Sequence, residues 1–432
     1  MNVELAVIAD DITGAADTSV KFRGCFKPIY LINHTNTENL RFKISPSVIS
    51  MFTNTRGLSI PETKNILQRT TNALQTLQPK WFYKKVDSCM RGTVGVECSL
   101  LLSFLNMKAC FIAPAYPVQD RITVHDIHLV GGKPVAETEI GCDPVCPVKE
   151  SSLTKLLRAS HRHKVGHVEI RFLEGSRTEL YSEVARLISS GNRLIGFDAT
   201  SEEHLKKIAE LAITRFPDVL LVGSAGLATA IAGQLNDNRG KGKSIQPAQS
   251  IRHTGNLLLV CGSPSETLKQ QISALQNSCH CETIDLEPEI LVNRGAEYSR
   301  ENLAARLRDI LSNSSLVVRI KSSTQAHNRQ HAVSLLRGLS ELMQYLIELC
   351  PPSVLFMSGG DTASAVLDRF NPYPLRIDKE ITDGIVATTA LEGLLSSRTI
   401  VMKAGALGIP RSLVELYHYY YGKGEISEER RW

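Results

Sequence analysis

Short apolar runs alternate along the chain with polar turns and with longer segments of helical spacing. The runs are rich in Val, Ile, Leu and Phe and too short for buried helices, which favours buried β-strands. We predict strands at residues 5–9, 26–32, 47–53, 81–86, 110–113, 168–170, 194–198, 219–223, 257–261, 316–320, 354–357 and 399–403. Helices are predicted between most of them, for example over 61–77 and 96–105. This βαβ rhythm predicts an α/β protein with mainly parallel sheets.

A polar stretch at residues 236–247 interrupts this rhythm and has the glycine-containing composition of a linker. A chain of 432 residues also exceeds the size at which single cores stop growing. We therefore predict two α/β domains, an N-terminal domain over 1–240 and a C-terminal domain over 250–432. A hinge at the linker would let the two lobes close on a shared site.

Acidic side chains follow the first predicted strand, in the string Asp-Asp-Ile-Thr-Gly-Ala-Ala-Asp at residues 10–17. Such a turn lies at the carboxyl end of its strand, where open α/β sheets bind their ligands. Asp10 and Asp11 would repel each other unless a polyol, a cation or a lysine lies between them. The alternative is that either carboxylate only caps the following helix.

Two further strand ends in this half carry polar residues. The strand predicted at 47–53 closes on the polar segment 53–56, which ends in Arg56. The strand predicted at 81–86 runs into a turn with two cations and two hydrogen-bonding side chains, namely Lys85, Arg91, Asp87 and Ser88. Such cations suit the carboxylate of a small acid, and Asp and Ser suit its hydroxyl groups. The alternative for this turn is a solvated loop with a helix cap.

Small residues follow the predicted strands of the C-terminal half. Gly359 and Gly360 would let the backbone approach a phosphate, with Thr362 opening a helix. Asp361 could hold Mg²⁺, act as a base or only cap that helix. Lys403 precedes a second glycine turn and would form another side of the same phosphate pocket.

Three other features have weaker patterns. The small residues at 223–226 could present N–H groups to an anion or only allow close helix packing. Four residues that could bind a metal lie close together, but their spacing matches no metal site, so we predict a hairpin with solvated polar residues. These four are His125, Asp126, His128 and Glu137. The ten cysteines include no CxxC pair, which favours reduced thiols and leaves a structural metal site at 279–281 open.

Composition excludes some classes of function. The apolar fraction of 43% and charged fraction of 22% are those of an ordinary globular protein. A net charge of +5 biases the protein mildly towards anionic substrates and gives little support for a nucleic-acid partner. No targeting leader, bilayer-length apolar run, P-loop or dinucleotide fingerprint is present. We therefore expect a cytoplasmic protein without a membrane partner.

Seven strings of residues, spread in order along nearly the whole chain, resemble the four-carbon acid sugar kinase family. They are residues 8–15, 84–88, 91–92, 223–226, 262–263, 358–362 and 403–405. The resemblance implies that ATP, with Mg²⁺, phosphorylates the terminal 4-hydroxyl of a tetronate. It also implies that the N-terminal domain binds the sugar acid, that the C-terminal domain binds the nucleotide, and that a cleft lies between them. D-threonate, giving 4-phospho-D-threonate, is favoured over D-erythronate and 3-oxo-tetronate.

The resemblance also implies particular contact residues. The acid sugar would contact Asp11, Arg56, Lys85, Val86, Asp87 and Ser88. Arg91 is a further candidate because it lies in the same turn as Asp87 and Ser88. ATP would contact Ser263, Gly359, Gly360, Asp361, Thr362 and Gly405. Asp11 and Asp361 are both candidates for the catalytic base, while the metal ligands are unknown. Ala404 stands where relatives often have Ser, so a hydroxyl contact is not expected there.

Alternative functions stay open at this stage. A non-catalytic sugar-acid-binding protein would bind the acid without turnover. An aldolase or dehydratase would use the same first domain without needing a phosphate-binding second one, so ATP binding separates it from a kinase. An RNA-modifying enzyme or ligase has little support because aromatic residues make up only 6% of the chain. A homodimer is expected only because it is the commonest soluble oligomer.

Overall fold

The computed structural model describes residues 3–36, 42–143, 145–159, 162–238, 255–262, 265–293, 297–321, 329–405 and 407–422. The chain divides into two compact units, Met1–Ser244 and Ile245–Trp432. Each unit is α/β with a mainly parallel sheet, as the strand rhythm predicts. Most of the predicted linker lies outside the described residues. No helix in the described part of the chain is long and apolar enough to cross a membrane.

The strands of the first unit form two sheets. In chain order they are β1 (Leu5–Ala9), β2 (Ile29–Asn33), β3 (Val48–Phe52), β4 (Trp81–Lys85), β5 (Ala109–Ala113), β6 (Arg121–Val124), β7 (Ile127–Val130), β8 (Lys133–Pro134), β9 (Lys164–Val168), β10 (Asn192–Phe197) and β11 (Val219–Gly223). The main sheet has the order β2-β3-β1-β4-β11-β5-β10-β9, and its strands are parallel. β6, β7 and β8 form a small antiparallel sheet.

Helices connect the strands of this unit. They are α1 (Ile12–Lys21), α2 (Ile60–Gln75), α3 (Val94–Leu105), α4 (Leu153–Arg158), α5 (Ile170–Glu174), α6 (Arg177–Ser189), α7 (Glu202–Arg215) and α8 (Ala225–Asn238). Side-chain caps explain several starts. Ser59 and Glu62 form a reciprocal capping box at α2, where Pro61 occupies the first turn because its missing N–H is not needed there.

The structure tests the strand predicted at 168–170 and the predicted hairpin with solvated polar residues. The strand predicted at 168–170 is wrong beyond Val168, because α5 begins at Ile170. The hairpin is confirmed, but His128 is fully buried rather than solvated. Its ring bonds Thr123 Oγ1 at 3.0 Å and the Ser88 carbonyl at 2.7 Å, and burial lowers its pKa to about 4.

The small residues at 223–226 pack against backbone. A Cβ on Gly223 would lie 2.6 Å from the Ala113 carbonyl oxygen, and one on Gly226 would lie 2.7 Å from that of Ala115. Ser224 Oγ also donates to the Ala115 carbonyl at 2.9 Å. The close-packing interpretation of this turn is therefore favoured over anion binding, because only residues without bulky side chains fit.

The described residues of the second unit form seven strands and six helices. The strands are β12 (Leu257–Cys261), β13 (Cys281–Leu286), β14 (Ser315–Ile320), β15 (Val354–Ser358), β16 (Leu375–Thr382), β17 (Ile385–Ala390) and β18 (Thr399–Lys403). The helices are α9 (Glu266–Ser278), α10 (Pro288–Val292), α11 (Glu297–Asn313), α12 (Arg329–Leu349), α13 (Gly360–Leu367) and α14 (Ser412–Tyr421). In the order β13-β14-β12-β15-β18-β17-β16, the first five strands are parallel and the last two are antiparallel additions.

Strand register decides which turns can share a site. In the first unit, Ala9 at the end of β1 pairs with Phe52 of β3 and Lys85 of β4. In the second unit, Ser358 at the end of β15 pairs with Cys261 of β12 and Lys403 of β18. Each unit therefore brings the carboxyl ends of three neighbouring strands, and the turns that follow them, to one edge of its sheet.

Candidate functional site

Six charged residues meet at the carboxyl ends of β1, β3 and β4, and we call them the first-unit cluster. They are Asp10, Asp11, Arg56, Lys85, Asp87 and Arg91. Their side chains are buried or half-buried. Five of the seven residues predicted to contact an acid sugar belong to this cluster.

Asp11 caps helix α1 and also faces the cluster. Its Oδ1 accepts hydrogen bonds from the Gly14 backbone N–H at 2.6 Å and from Thr13 Oγ1 at 2.8 Å. Asp11 therefore caps α1, but the alternative that it only caps the helix is wrong. Its other oxygen, Oδ2, accepts a hydrogen bond from Arg56. The cap thus leaves one carboxylate oxygen of Asp11 available to the cluster.

Arg56 holds the two adjacent aspartates together. Its Nε donates to Asp10 Oδ2 at 2.9 Å, while its Nη2 donates to Asp11 and lies 3.8 Å from Asp87 Oδ1. The guanidinium therefore relieves the repulsion that two neighbouring carboxylates would otherwise have. Asp10 Oδ1 is buried and has no hydrogen-bond partner among the described residues.

Asp87 organises the turn after β4. Its carboxylate accepts two hydrogen bonds from the Arg91 guanidinium, at 2.9 and 3.0 Å, and further ones from the backbone N–H groups of Cys89 and Arg91. Arg91 Nη1 also donates to Asp143 at 3.3 Å. Such bidentate pairing fixes the plane as well as the position of both groups.

Lys85 differs from the two arginines because its ammonium has no hydrogen bond or ion pair within the described part of the chain. Its charge nevertheless acts on both Asp11 and Asp87. A Cβ on Gly14 would lie 2.6 Å from Lys85 Nζ, so glycine at this position leaves room for the ammonium. The cluster thus contains a cation that forms no ion pair with a carboxylate among the described residues.

The cations keep the aspartates ionised. Burial works to raise the pKa of Asp11, but Arg56 and Lys85 outweigh it and hold that pKa below its usual range. Burial likewise opposes ionisation of Asp87, but Arg91 and then Arg56 hold its pKa well below the usual range. Both groups are therefore strong hydrogen-bond acceptors and weak proton acceptors.

A second pair of charged residues, Lys84 and Glu97, is buried next to the first-unit cluster. Lys84 is fully buried, and its Nζ lies 2.5 Å from Glu97 Oε2 of α3. Glu97 Oε1 accepts a hydrogen bond from Thr55 Oγ1 at 3.1 Å. Burial alone would lower the pKa of Lys84, but the charges of Glu97 and Asp10 raise it. This pair thus connects helix α3 to the turn that carries Arg56.

Two predicted contact residues lie differently from the cluster. The side chain of Val86 packs in the hydrophobic core, and its N–H donates to the Gly223 carbonyl at 2.9 Å. A contact between Val86 and a ligand would therefore have to use its carbonyl. Ser88 is half-buried in the same turn as Asp87.

In the second unit, helix α13 begins directly after β15 and presents its first backbone N–H groups at the carboxyl end of that strand. Its cap residue, Gly359, has φ +102° and ψ 133° and makes no side-chain cap bond. The first N–H groups of a helix have no partner within the helix and favour anions. Gly360, Asp361 and Thr362 open this helix, and the Asp361 side chain is exposed. This geometry suits a phosphate group.

The turns after β12 and β18 are tied to each other and to this helix start. Gly262 leaves space for the Thr362 hydroxyl, which a Cβ would overlap. Ser265 Oγ donates to the Gly405 carbonyl at 3.1 Å, and the Gly359 N–H donates to the Lys403 carbonyl at 2.9 Å. Ser263, predicted to contact ATP, lies outside the described residues.

The prediction that Lys403 lines a phosphate pocket is wrong for its side chain in this structure. Lys403 is fully buried, and Nζ donates to the carbonyls of Ala404, Gly405 and Leu407 at 2.9, 3.0 and 2.9 Å. An ammonium has three N–H donors, so all of them are used. Lys403 therefore holds the turn instead of facing a ligand directly.

Several residues of the cluster's surroundings escape prediction from sequence. Asp143 pairs with Arg91, and Cys146 Sγ donates to the Arg56 carbonyl at 3.1 Å, although the sequence indicates only a loop there. The importance of Glu97, in contrast, can be recognised in the sequence. Glu97 is a lone carboxylate in the apolar segment of α3, and such a group needs a buried partner.

Metal ligation gives a simpler picture. Among the described residues there is no group of three or more His, Cys, Asp or Glu side chains that could hold a metal ion. All ten cysteines have free thiols. Burial raises the pKa of Cys281, in the segment considered for a structural metal, to about 12.

Comparison with known families now adds to this geometry. A family model described as a sugar-binding N-terminal domain matches residues 5–231, and one described as a nucleotide-binding C-terminal domain matches residues 258–413. Together with the two α/β units, these matches define a protein that joins a sugar-binding module to a nucleotide-binding module. The chain belongs to the four-carbon acid sugar kinase family.

Individual relatives match along nearly their whole length. A D-threonate kinase of Salmonella typhimurium is 26% identical over 96% of this chain and 98% of the relative. A D-erythronate kinase of Heliobacterium modesticaldum is 24% identical over 94% of each chain. A crystal structure of a Salmonella typhimurium protein has a TM-score of 0.79 at 21% identity, covering 96% of this chain and 99% of that one, which confirms the fold.

Proposed function

We propose that this protein is an ATP-dependent kinase that phosphorylates the 4-hydroxyl of a four-carbon sugar acid. D-threonate is the first candidate substrate, with 4-phospho-D-threonate as product, and D-erythronate and 3-oxo-tetronate are the alternatives. Family membership supports the substrate class, whereas relatives named for different tetronates leave the particular acid to be measured.

The first-unit cluster is the observation that carries the sugar-acid part of this proposal. Lys85, whose ammonium has no hydrogen bond or ion pair with the described residues, would bind the substrate carboxylate. Asp10 Oδ1 and Asp87 offer carboxylate oxygens to substrate hydroxyls. A tetronate has one carboxylate and several hydroxyls on a four-carbon chain, so its groups match a cluster in which cations and carboxylates alternate.

The turns of the second unit support the nucleotide part. The N-terminal end of α13 and the turn at Gly405 would contact the phosphates of ATP, because a helix N-terminus favours anions. Asp361, in the first turn of α13, would repel a phosphate unless a cation lay between them. Mg²⁺ is usually held by one or two carboxylates and substrate phosphates, so Asp361 fits as one ligand. The ion would neutralise phosphate charge in the transition state.

In the proposed reaction, the 4-oxygen of the acid forms a bond to the γ-phosphorus while the bond to the bridging oxygen of ADP breaks. The hydroxyl proton passes to a carboxylate, for which Asp11 and Asp361 are the candidates. Because the pKa of Asp11 lies below its usual range, Asp11 would mainly orient the hydroxyl. A loose transition state needs little proton transfer before the phosphoryl group moves.

ADP release from Mg-ATP should occur with one tetronate of a panel of threonate, erythronate and 3-oxo-tetronate stereoisomers. Asp11→Asn should lower turnover by about 10²-fold, because it removes an anionic acceptor near the transferred group. Asp218→Asn, the same change at an exposed carboxylate paired with Lys108, serves as the matched control and should leave turnover unchanged. The measurement is a coupled ADP assay for each acid and variant.

Each outcome of this panel separates the candidate functions. Turnover with one acid that depends on Asp11 supports the kinase. Binding of an acid without ADP release would favour a non-catalytic sugar-acid-binding protein. Absence of both nucleotide binding and turnover would overturn the kinase proposal.

Gly359→Ala should raise the KM for ATP by at least about tenfold while leaving the affinity for the acid unchanged. A non-glycine residue at φ +102° is strained by about 1–3 kcal/mol, and relief of that strain would move the α13 N–H groups. The measurement is KM for each substrate together with thermal stability. Gly233→Ala is the control, because a Cβ there meets no atom within 4 Å. An unchanged KM for ATP in Gly359→Ala would contradict the assigned role of this turn.

A further inference from the structure

Lys403 is a buried cation that has no carboxylate partner in the part of the chain that the structure describes. It ends β18 and is 0% exposed, and its three donors go to the carbonyls of Ala404, Gly405 and Leu407. Among the described residues, the titratable group that would affect the pKa of Lys403, if it were ionised, is the Cys261 thiol of β12. Burial raises the pKa of Cys261 to about 12, so this thiol is neutral and supplies no counter-charge near neutral pH.

Three described residues of neighbouring elements that pair with or bond to this segment are neutral. Ser358 of β15 and Ile385 of β17 are the register partners of Lys403. Gln271 of α9 donates to the carbonyls of Leu407 and Ile409, both at 3.1 Å. Carbonyl dipoles stabilise an ammonium only in part, because they replace water without neutralising its charge.

Lys84 shows the contrast within the same chain. It is equally buried, but the carboxylate of Glu97 lies 2.5 Å away, and the pKa of Lys84 is raised. Burial lowers the pKa of Lys403 to about 8. A buried ammonium that is easily deprotonated indicates a site whose negative charge is incomplete.

The turn that Lys403 holds is one that the proposed function assigns to the nucleotide. The Gly405 carbonyl accepts hydrogen bonds from both Lys403 Nζ and Ser265 Oγ. The Lys403 carbonyl accepts the N–H of Gly359, the cap of α13. Lys403 therefore bonds directly to the backbone of both turns that are proposed to bind phosphate.

We propose, on the basis of the proposed function, that Lys403 is a positioning residue whose buried charge is completed by the nucleotide phosphates, so that nucleotide binding takes up a proton. The proton comes from solvent or buffer and adds to the free amine of Lys403, giving the ammonium. The phosphates would act on the ammonium electrostatically, and the ammonium would keep its three carbonyl acceptors. No covalent bond to the nucleotide forms.

Linkage sets the size and pH range of the effect. Because burial lowers the pKa of Lys403 to about 8, some of the unliganded molecules lack this proton in mildly alkaline solution, and binding of a polyanion should take up a fraction of a proton there. Uptake should fall to near zero at about pH 6.5, where the ammonium is already formed, and should increase towards pH 9. Nucleotide phosphates are fully ionised in this upper range and contribute no proton change of their own.

Isothermal titration calorimetry with Mg-ADP tests the proposal on the full chain. Titrations at pH 6.5, 8 and 9, each in two buffers of different ionisation enthalpy, give the number of protons taken up. Lys403→Met should lose the uptake and weaken binding, and Lys403→Arg, which stays charged, should lose the uptake at any affinity it retains. Lys379→Met, a change to a lysine on β16 that stacks on Tyr419, should leave the uptake unchanged.

The outcomes separate this inference from the function on which it rests. Uptake in the original chain that rises with pH and is absent in the Lys403 variants supports it. Binding without uptake at pH 8 and 9 overturns the inference but not the kinase, and this result needs no variant to fold. Uptake that persists in Lys403→Arg also overturns it. Absence of any nucleotide binding overturns the proposed function and this inference together.

Discussion

Arg56→Met should lower the free energy of unfolding by about 3–5 kcal/mol, because removal of one partner leaves buried charges uncompensated. The guanidinium bonds Asp10 and Asp11 and lies 3.8 Å from Asp87, so three carboxylates lose a shared cation. Turnover should fall by at least about 10³-fold, since the donors and acceptors of the first-unit cluster would no longer be held in place. Denaturant unfolding and the ADP assay measure the two effects.

A matched change elsewhere shows whether these losses belong to the cluster. Arg177→Met removes an exposed guanidinium that pairs with Glu210, and a surface pair contributes at most about 1 kcal/mol. Arg56→Lys should recover stability more than turnover, because an ammonium supplies charge but not the planar fork that holds two carboxylates. An Arg56→Met protein with the original stability and turnover would show that this network is not needed.

Lys84→Met should also destabilise the protein by about 3–5 kcal/mol, because it leaves the buried carboxylate of Glu97 without its cation. The double variant Lys84→Met/Glu97→Leu should be less destabilised than the sum of its single changes, since an apolar pair of similar volume replaces two buried charges. Thermal and denaturant unfolding of the four proteins in this cycle give the coupling free energy directly.

The exposed pair of Lys108 and Asp218, at 2.8 Å, provides the reference cycle for this measurement. Its coupling should be about 0–1 kcal/mol, because water screens both charges. Additive effects of the Lys84 and Glu97 changes would exclude the buried ion pair. Retained turnover in a well-folded double variant would further show that the pair supports stability alone.

Strands and their following turns were predictable because parallel strands, buried on both faces, are continuous apolar runs. β1 and β15 are buried along their full length, so their polar ends are easily recognised. Three strands, β13, β16 and β17, were not predicted from the sequence. Most residues of β13 and β16 are only partly buried, and their mixed polar composition resembles that of loops.

Side-chain pairing was much less predictable than the strand ends. Asp11 and Arg56 are 45 positions apart, and only the strand register brings them together. Lys403 shows a different limit. Its position after a strand suggests a ligand contact, but burial and three carbonyl acceptors turn the ammonium back onto its own loop. A sequence pattern places a residue at a strand end without specifying the direction of a flexible side chain.

During synthesis on the ribosome, β4 and β5 emerge long before β11, the strand that lies between them in the finished sheet. Until residue 223 is available, each of these strands has an edge of unpaired N–H and C=O groups. The Val86 N–H and the Tyr83 hydroxyl likewise cannot form their hydrogen bonds until the carbonyls of Gly223 and Ser224 have been synthesised. The turn that carries Lys85 and Asp87 is therefore completed late, and the nascent first unit is a species that chaperones would have reason to shield.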